Sequence, residues 1–170
     1  MARRIAFFTI GESPRSDVVP EMALCLGKHV QIDEFGVLDG LDAAQRATLA
    51  PRPGSHRFAT RLRDGTPVEL DHHATEERLA ALMQQADDRG YDALVPLCTG
   101  TVIPRMRSLV VEPQQVVDHH VAALSAHCTT LGLIVPLAAQ VATFHLAQPV
   151  ACAVKTVHAS PYETDRAAAA

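Results

Sequence analysis

The sequence predicts an α/β fold in which a mostly parallel sheet is flanked by helices. Three observations predict it. Short apolar runs that end in glycine or a polar turn recur along the chain, as in "RRIAFFTIG" and "DALVPLCTG", and runs of that kind suit strands buried on both faces. Segments of helical length and patterning separate those runs, the alternation of βαβ units. With 170 residues, 48% of them hydrophobic, the chain is large enough to bury a sizeable core in one globular domain.

Taken in order, the first strand "RRIAFFTIG" leads into "ESPRSD", a polar turn in which Pro14 disfavours helix at Ser13. Ser16 or Asp17 is the expected N-cap of a helix over "VVPEMALCLGKH", where Pro20 fits only near the first turn. "VQIDEFGVLDGL" predicts a second strand closed by Asp39-Gly40, and "DAAQRATLAPRPG" a short helix stopped by Pro51 and Pro53. "FATRLRDGTPVELD" reads as a hairpin turning at Asp64-Gly65. The strongest helical pattern is "ATEERLAALMQQADDRGY", with Thr75 as N-cap, an apolar stripe of Leu79, Leu82 and Met83, and Gly90 as the stop. Strands "ALVPLC" and "SLVVEP", the helix "PQQVVDHHVAALSAHC" and the strand "TLGLIVP" follow. A helix "LAAQVATFHLAQ", a strand "VACAVKTV" and a helix start at "PYETDRAAAA" complete the reading. A parallel sheet is expected to answer that last helix with a further strand, so the expectation is a fold whose C-terminal part is missing from these 170 residues.

Composition excludes several function classes. A net charge of -4 with 20% charged residues provides no basic footprint for nucleic acid, and 4% aromatics without Trp provide no stacking platform. No segment approaches the ~20 apolar residues of a membrane helix. The N-terminal apolar run is too short for a secretory signal. The four cysteines, at 25, 98, 128 and 152, form no C-x-x-C pair and no disulfide framework is expected. These features point to a reducing cytoplasm. The pairs His72-His73 and His119-His120 lie next to each other in sequence and so point apart, which disfavours one shared metal ion. No G-x-G-x-x-G or Walker spacing occurs, so no cofactor is expected.

In open parallel sheets ligands bind beyond the carboxyl ends of the strands. Three such ends stand out: Thr9 to Ser16, Cys98 to Thr101, and Val135-Pro136. The second combines a thiol with Thr99, Gly100 and Thr101, whose amides and hydroxyls suit a carboxylate or a developing oxyanion. A thiol in such a nest is expected to have a lowered pKa and to serve as nucleophile or proton shuttle; a buried structural cysteine is the competing account. Arg15 is a natural bidentate carboxylate clamp, against the alternative of a solvated surface arginine, and Thr9, Ser13 and Ser16 offer hydroxyl contacts. Cys25, Cys128 and Cys152 fall inside apolar patterns and read as structural.

With these residues in place, the sequence resembles the AroM family, which is similar to the Asp/Glu racemase-like superfamily. "TIGESPRSDVVPEM" resembles the family's opening, "LDGL" and the stretch from "APRPG" to "TRLRDGTPVEL" its middle, and "LCTGT" its strand-end motif. "VVEP" before a helix, and then "LGLIVP", fit the same order. The resemblance implies two pseudo-symmetric α/β lobes, here 1–105 and the incomplete start of a second over 106–170. It implies a homodimer and an isomerase-type, cofactor-independent proton transfer at the carbon beside a small carboxylate or amino-acid-like ligand. Cys98 lines up with the first of two cysteine acid/base groups, and the loop from Ser13 to Ser16 with substrate contacts. The second cysteine would lie beyond Ala170. Related enzymes with one effective cysteine carry out decarboxylation or isomerisation. A non-catalytic carboxylate sensor, with Arg15, Thr99 and Thr101 as its binding groups, is the alternative from a different class.

Overall fold

The computed structural model describes residues 3–160. The chain divides into two compact units, 1–114 and 115–170. Within the first, β1 (Arg3–Thr9), β2 (Val30–Gly36), β5 (Ala93–Pro96) and β6 (Leu109–Val110) form one sheet in the order β2-β1-β5-β6. Every pairing in it is parallel. β1 is central because Ala6, Phe7 and Phe8 are buried, as a strand covered on both faces must be. The helices are α1 (Val19–Leu26), α2 (Ala43–Ala47) and α3 (His72–Asp88). The hairpin β3 (Arg57–Arg61) and β4 (Pro67–Asp71) turns at Asp64-Gly65, where the Leu62 amide donates to the Thr66 carbonyl at 2.9 Å.

The core joins these parts. Ala6 and Phe8 from β1, Leu94 from β5, Leu79, Met83 and Ala86 from α3, and Phe58 and Leu70 from the hairpin form one buried cluster. The i, i+4 and i+7 spacing of Leu79, Met83 and Ala86 places them on one face of α3. Phe8 stacks on Phe35 with ring centroids 5.4 Å apart, and Phe35 meets Tyr91 edge-on at 6.0 Å.

Two helix starts differ from expectation. Asp71 caps α3, accepting from the Ala74 amide at 3.1 Å, and Thr75 lies buried inside the helix. The Asp71 carboxylate satisfies the Ala74 amide, so the helix starts at His72 and is already under way at Thr75. At α1 neither Ser16 nor Asp17 caps: Val18 occupies the N-cap without a side-chain bond. Asp17 is instead drawn to the guanidinium groups of Arg15 and Arg61. α2 has the capping box its sequence encodes, between Asp42 and Gln45.

The second unit contains most of α4 (Pro113–Ser125) and the parallel pair β7 (Thr130–Val135) and β8 (Ala153–His158). The helix expected over "LAAQVATFHLAQ" is a single 3-10 turn at Ala138–Gln140. Val141 and Thr143, both β-branched, weaken helix continuation. The Ala147 amide donates to Asp118 Oδ2 at 3.2 Å rather than to a helical carbonyl. Cys25 and Cys128, which read as structural from their apolar surroundings in sequence, are exposed. The helix start at "PYETDRAAAA" lies outside the described residues.

Candidate functional site

Strand order fixes where a cleft can form. From β1 the chain moves to β2 on one side, then crosses back to β5 on the other. The connections leaving β1 and β5 therefore part in opposite directions, the switch point at which open parallel sheets place their ligand crevice. Phe8 is in register with Pro96, and the Leu97 amide donates to the Phe8 carbonyl at 2.6 Å. That bond carries the ladder past the strand ends, so the loop after Thr9 and the loop beginning at Cys98 emerge side by side.

The first loop is tightly braced. Asp39, just beyond β2, accepts from the Ser13 amide at 2.8 Å, the Ser13 hydroxyl at 2.6 Å and the Gly36 amide at 2.7 Å. Arg63 donates through Nε and Nη2 to the Ser13 carbonyl. Glu12 pairs with Arg46 and accepts from the Arg63 amide. Close approach requires glycine at two positions here. A Cβ on Gly11 would stand 2.5 Å from the Arg61 carbonyl oxygen, and one on Gly36 would stand 2.6 Å from the Gly11 carbonyl oxygen.

Arg15 is held from several sides. Its amide donates to Glu34 Oε2 at 2.7 Å and its Nη1 to Thr9 Oγ1 at 3.1 Å. Nε and Nη2 grip the two oxygens of Asp17 at 2.9 and 2.8 Å. Arg61 reaches Asp17 as well, at 2.7 Å. The Arg15 hydrogen bonds, with help from Arg61, hold the Asp17 carboxyl well below the ordinary range against the opposing effect of burial. The bidentate fork expected for a ligand carboxylate thus already holds an internal one. Thr9 is buried and its hydroxyl also accepts from the Gly11 amide; Ser16 is exposed.

The second loop turns through Gly100, whose φ of +78° is a left-handed conformation that favours glycine. Thr99 is exposed and Thr101 is buried. Cys98 Sγ lies 3.8 Å from Thr101 Oγ1. Burial pushes the Cys98 thiol up to about 11, the opposite of the lowered value its neighbours suggested; Glu76 and Glu112 add to the rise, while the Thr101 hydroxyl and the Arg15 charge oppose it. Desolvation outweighs the local donors.

α3 supplies a brace that sequence reasoning missed. His72 stacks on Phe58 with centroids 4.2 Å apart, and its Nε2 lies 3.0 Å from the Gly100 carbonyl oxygen. A carbonyl only accepts, so Nε2 carries the donated proton. Glu76 approaches His72 Nδ1 at 3.3 Å and accepts from the Val102 amide at 2.7 Å. The i, i+4 spacing of His72 and Glu76 was the available signal. His73 turns instead to Glu77. Among the described residues no group of three or more His, Cys, Asp and Glu is placed to hold a metal ion, and no helix is long and apolar enough to cross a membrane.

An open depression of about 560 Å³ borders the first loop, lined by Ser13, Pro14, Ile32 to Phe35, Arg89 and Tyr91. Cys98 does not line it. Val135-Pro136, the third expected strand end, closes β7 within the second unit.

No curated protein and no solved structure matches the chain. One family model, described as AroM protein, matches residues 5–170.

Proposed function

The chain belongs to the AroM family, and from that premise we propose a racemase- or isomerase-type enzyme, akin to the Asp/Glu racemases, that acts on a small carboxylate through Cys98. One observation supports the reading: β1 and β5 are paired neighbours whose onward connections part, so the loop carrying Arg15 and the loop carrying Cys98 leave adjacent strand ends. With its thiol pushed up to about 11 by burial, Cys98 is overwhelmingly protonated at neutral pH. The resting group is therefore a proton donor. In the donating direction the S–H bond breaks, its proton goes to the substrate carbon beside the carboxylate, and the electron pair of the enediolate forms the new C–H bond. In the reverse direction the thiolate takes that proton, and its high pKa makes it a strong base. Cys98 serves one face of the carbon; a group on the opposite face completes racemisation, whereas protonation on one face alone suffices for isomerisation or decarboxylation. Thr99, Gly100 and Thr101 would hold the carboxylate, with Thr9, Ser13, Arg15 and Ser16 on the facing loop. A homodimer belongs to the same proposal.

A second reading is a small-carboxylate sensor without catalysis, favoured by a Cys98 thiol that burial keeps from ionising, with Thr99 and Thr101 binding and Arg15 available only where the ligand displaces Asp17. Both are tested by following deuterium uptake at the alpha carbon of a panel of amino and hydroxy acids in deuterated water, alongside calorimetric binding. Exchange that disappears in Cys98→Ala supports the enzyme. Binding without exchange supports the sensor, and exchange that persists in Cys98→Ala removes Cys98 from the chemistry.

A further inference from the structure

Cys128 and Cys152 stand 24 positions apart in sequence, yet their sulfurs lie 3.6 Å from each other. Backbone geometry builds this meeting. Cys128 comes shortly before β7 and Cys152 immediately before β8, and the two strands run parallel in register from Thr130 opposite Ala153. On one side of the pair, the Ala151 amide donates to Ser125 Oγ at 2.9 Å. On the other, the Ala153 amide donates to the Thr129 carbonyl at 3.2 Å. Ser125 is itself buried, and its hydroxyl donates to the Ala122 carbonyl of α4 at 2.7 Å. Both neighbours of Cys152 are thus fastened to residues flanking Cys128. Cys128 is exposed and Cys152 partly so, which leaves the pair open to a small reagent.

We propose that Cys128 and Cys152 are a dithiol site that closes to a reversible disulfide, with a low-molecular-weight disulfide such as oxidised glutathione as the oxidant. The Cys128 thiolate attacks one sulfur of the oxidant, whose S–S bond breaks and releases one glutathione thiolate. The Cys152 thiolate then attacks Cys128 Sγ, forming the protein disulfide and releasing the second glutathione. Two protein thiols lose two protons and two electrons, and one oxidised glutathione becomes two reduced ones. An S–S bond is about 2.0 Å long, so the sulfurs close by roughly 1.6 Å, a shift that side-chain rotation at exposed Cys128 can supply. The bond ties the start of β8 to the start of β7 and leaves Cys25 and Cys98 as thiols.

The test incubates the reduced full chain with oxidised glutathione, quenches in acid and combines thiol titration, intact mass and peptide mapping. The expected result is loss of two of the four thiols, a mass decrease of about 2 Da and a peptide linking Cys128 to Cys152, all reversed by dithiothreitol. Cys128→Ser and Cys152→Ser should each lose the 2 Da change and accumulate a glutathione adduct, while Cys25→Ser behaves as the parent. Closure should slow about ten-fold or more in guanidinium chloride, where the effective concentration set by the fold is lost. Retention of all four thiols, a stable glutathione adduct at Cys128 beside a free Cys152, a bridge to Cys25 or Cys98, or equal closure rates in the folded and unfolded chain would each overturn the proposal.

Discussion

His72 Nε2 lies 3.0 Å from the Gly100 carbonyl oxygen, so the first residue of α3 holds the loop that carries Cys98. Replacing His72 by Phe keeps an aromatic ring to stack on Phe58 and removes the donor. A neutral hydrogen bond contributes about 1 kcal/mol net. His72→Phe is expected to lower stability by about that amount in urea unfolding and to raise the alkylation rate of Cys98 several-fold as its loop loosens. Unchanged Cys98 reactivity would separate the brace from the thiol.

Asp39 gathers three donors from two strand ends, Ser13 twice and Gly36 once. Hydrogen bonds to a charged acceptor contribute about 1.5–3 kcal/mol and leave unsatisfied donors when the acceptor goes. Asp39→Ala is expected to cost about 2–3 kcal/mol, read from the urea midpoint at constant slope. Carboxylate binding should weaken in parallel, because Ser13 loses its anchor.

Gly11 and Gly132 make a contrasting pair. A Cβ on Gly11 meets the Arg61 backbone at 2.5 Å, whereas one on Gly132 in β7 meets nothing within 4 Å among the described residues. Gly11→Ala should cost about 1–3 kcal/mol through overpacking, and Gly132→Ala should be neutral or slightly stabilising. Thermal unfolding of both variants checks the contrast; equal midpoints would mean the first loop yields where the structure holds it rigid.

Cys98 should show its burial in its pH profile. Alkylation followed by peptide mapping is expected to rise towards an inflection at about 11. Glu76→Gln removes a negative charge that raises the value and should shift the inflection down, while Arg15→Met should shift it up. Because the folded thiol has the raised pKa, its contribution to stability is intact below the ordinary thiol range and is lost as pH rises towards 11. Stability that does not decline faster in the parent than in Cys98→Ala over that alkaline window would contradict the sign.

Much of the first unit was legible in the sequence because its signals are local. The "IAFF" run predicted the buried strand β1, and "RDGT" predicted the turn between β3 and β4. The family likewise followed from motifs in order, and the match over residues 5–170 bears it out. What escaped depends on long-range partners. Asp17 looks like a cap until Arg15 and Arg61 are seen to claim it. Cys98 looks like an activated thiol until its side chain is seen packed against the core, because composition counts nearby donors and cannot count lost water. Cys128 and Cys152 look unrelated until two parallel strands align them.

The grip of Arg15 on Asp17 changes what selectivity at this crevice would mean. A ligand carboxylate arriving at that guanidinium would exchange places with a carboxylate already seated there, so the number of ion pairs would hardly change. Displaced Asp17 stays in the chain, so the crevice gains one negative charge and Arg61 is left to pair the carboxylate that Arg15 releases. Discrimination would then fall to whatever the ligand carries besides its acid group, and a bare carboxylate would gain almost nothing by entering.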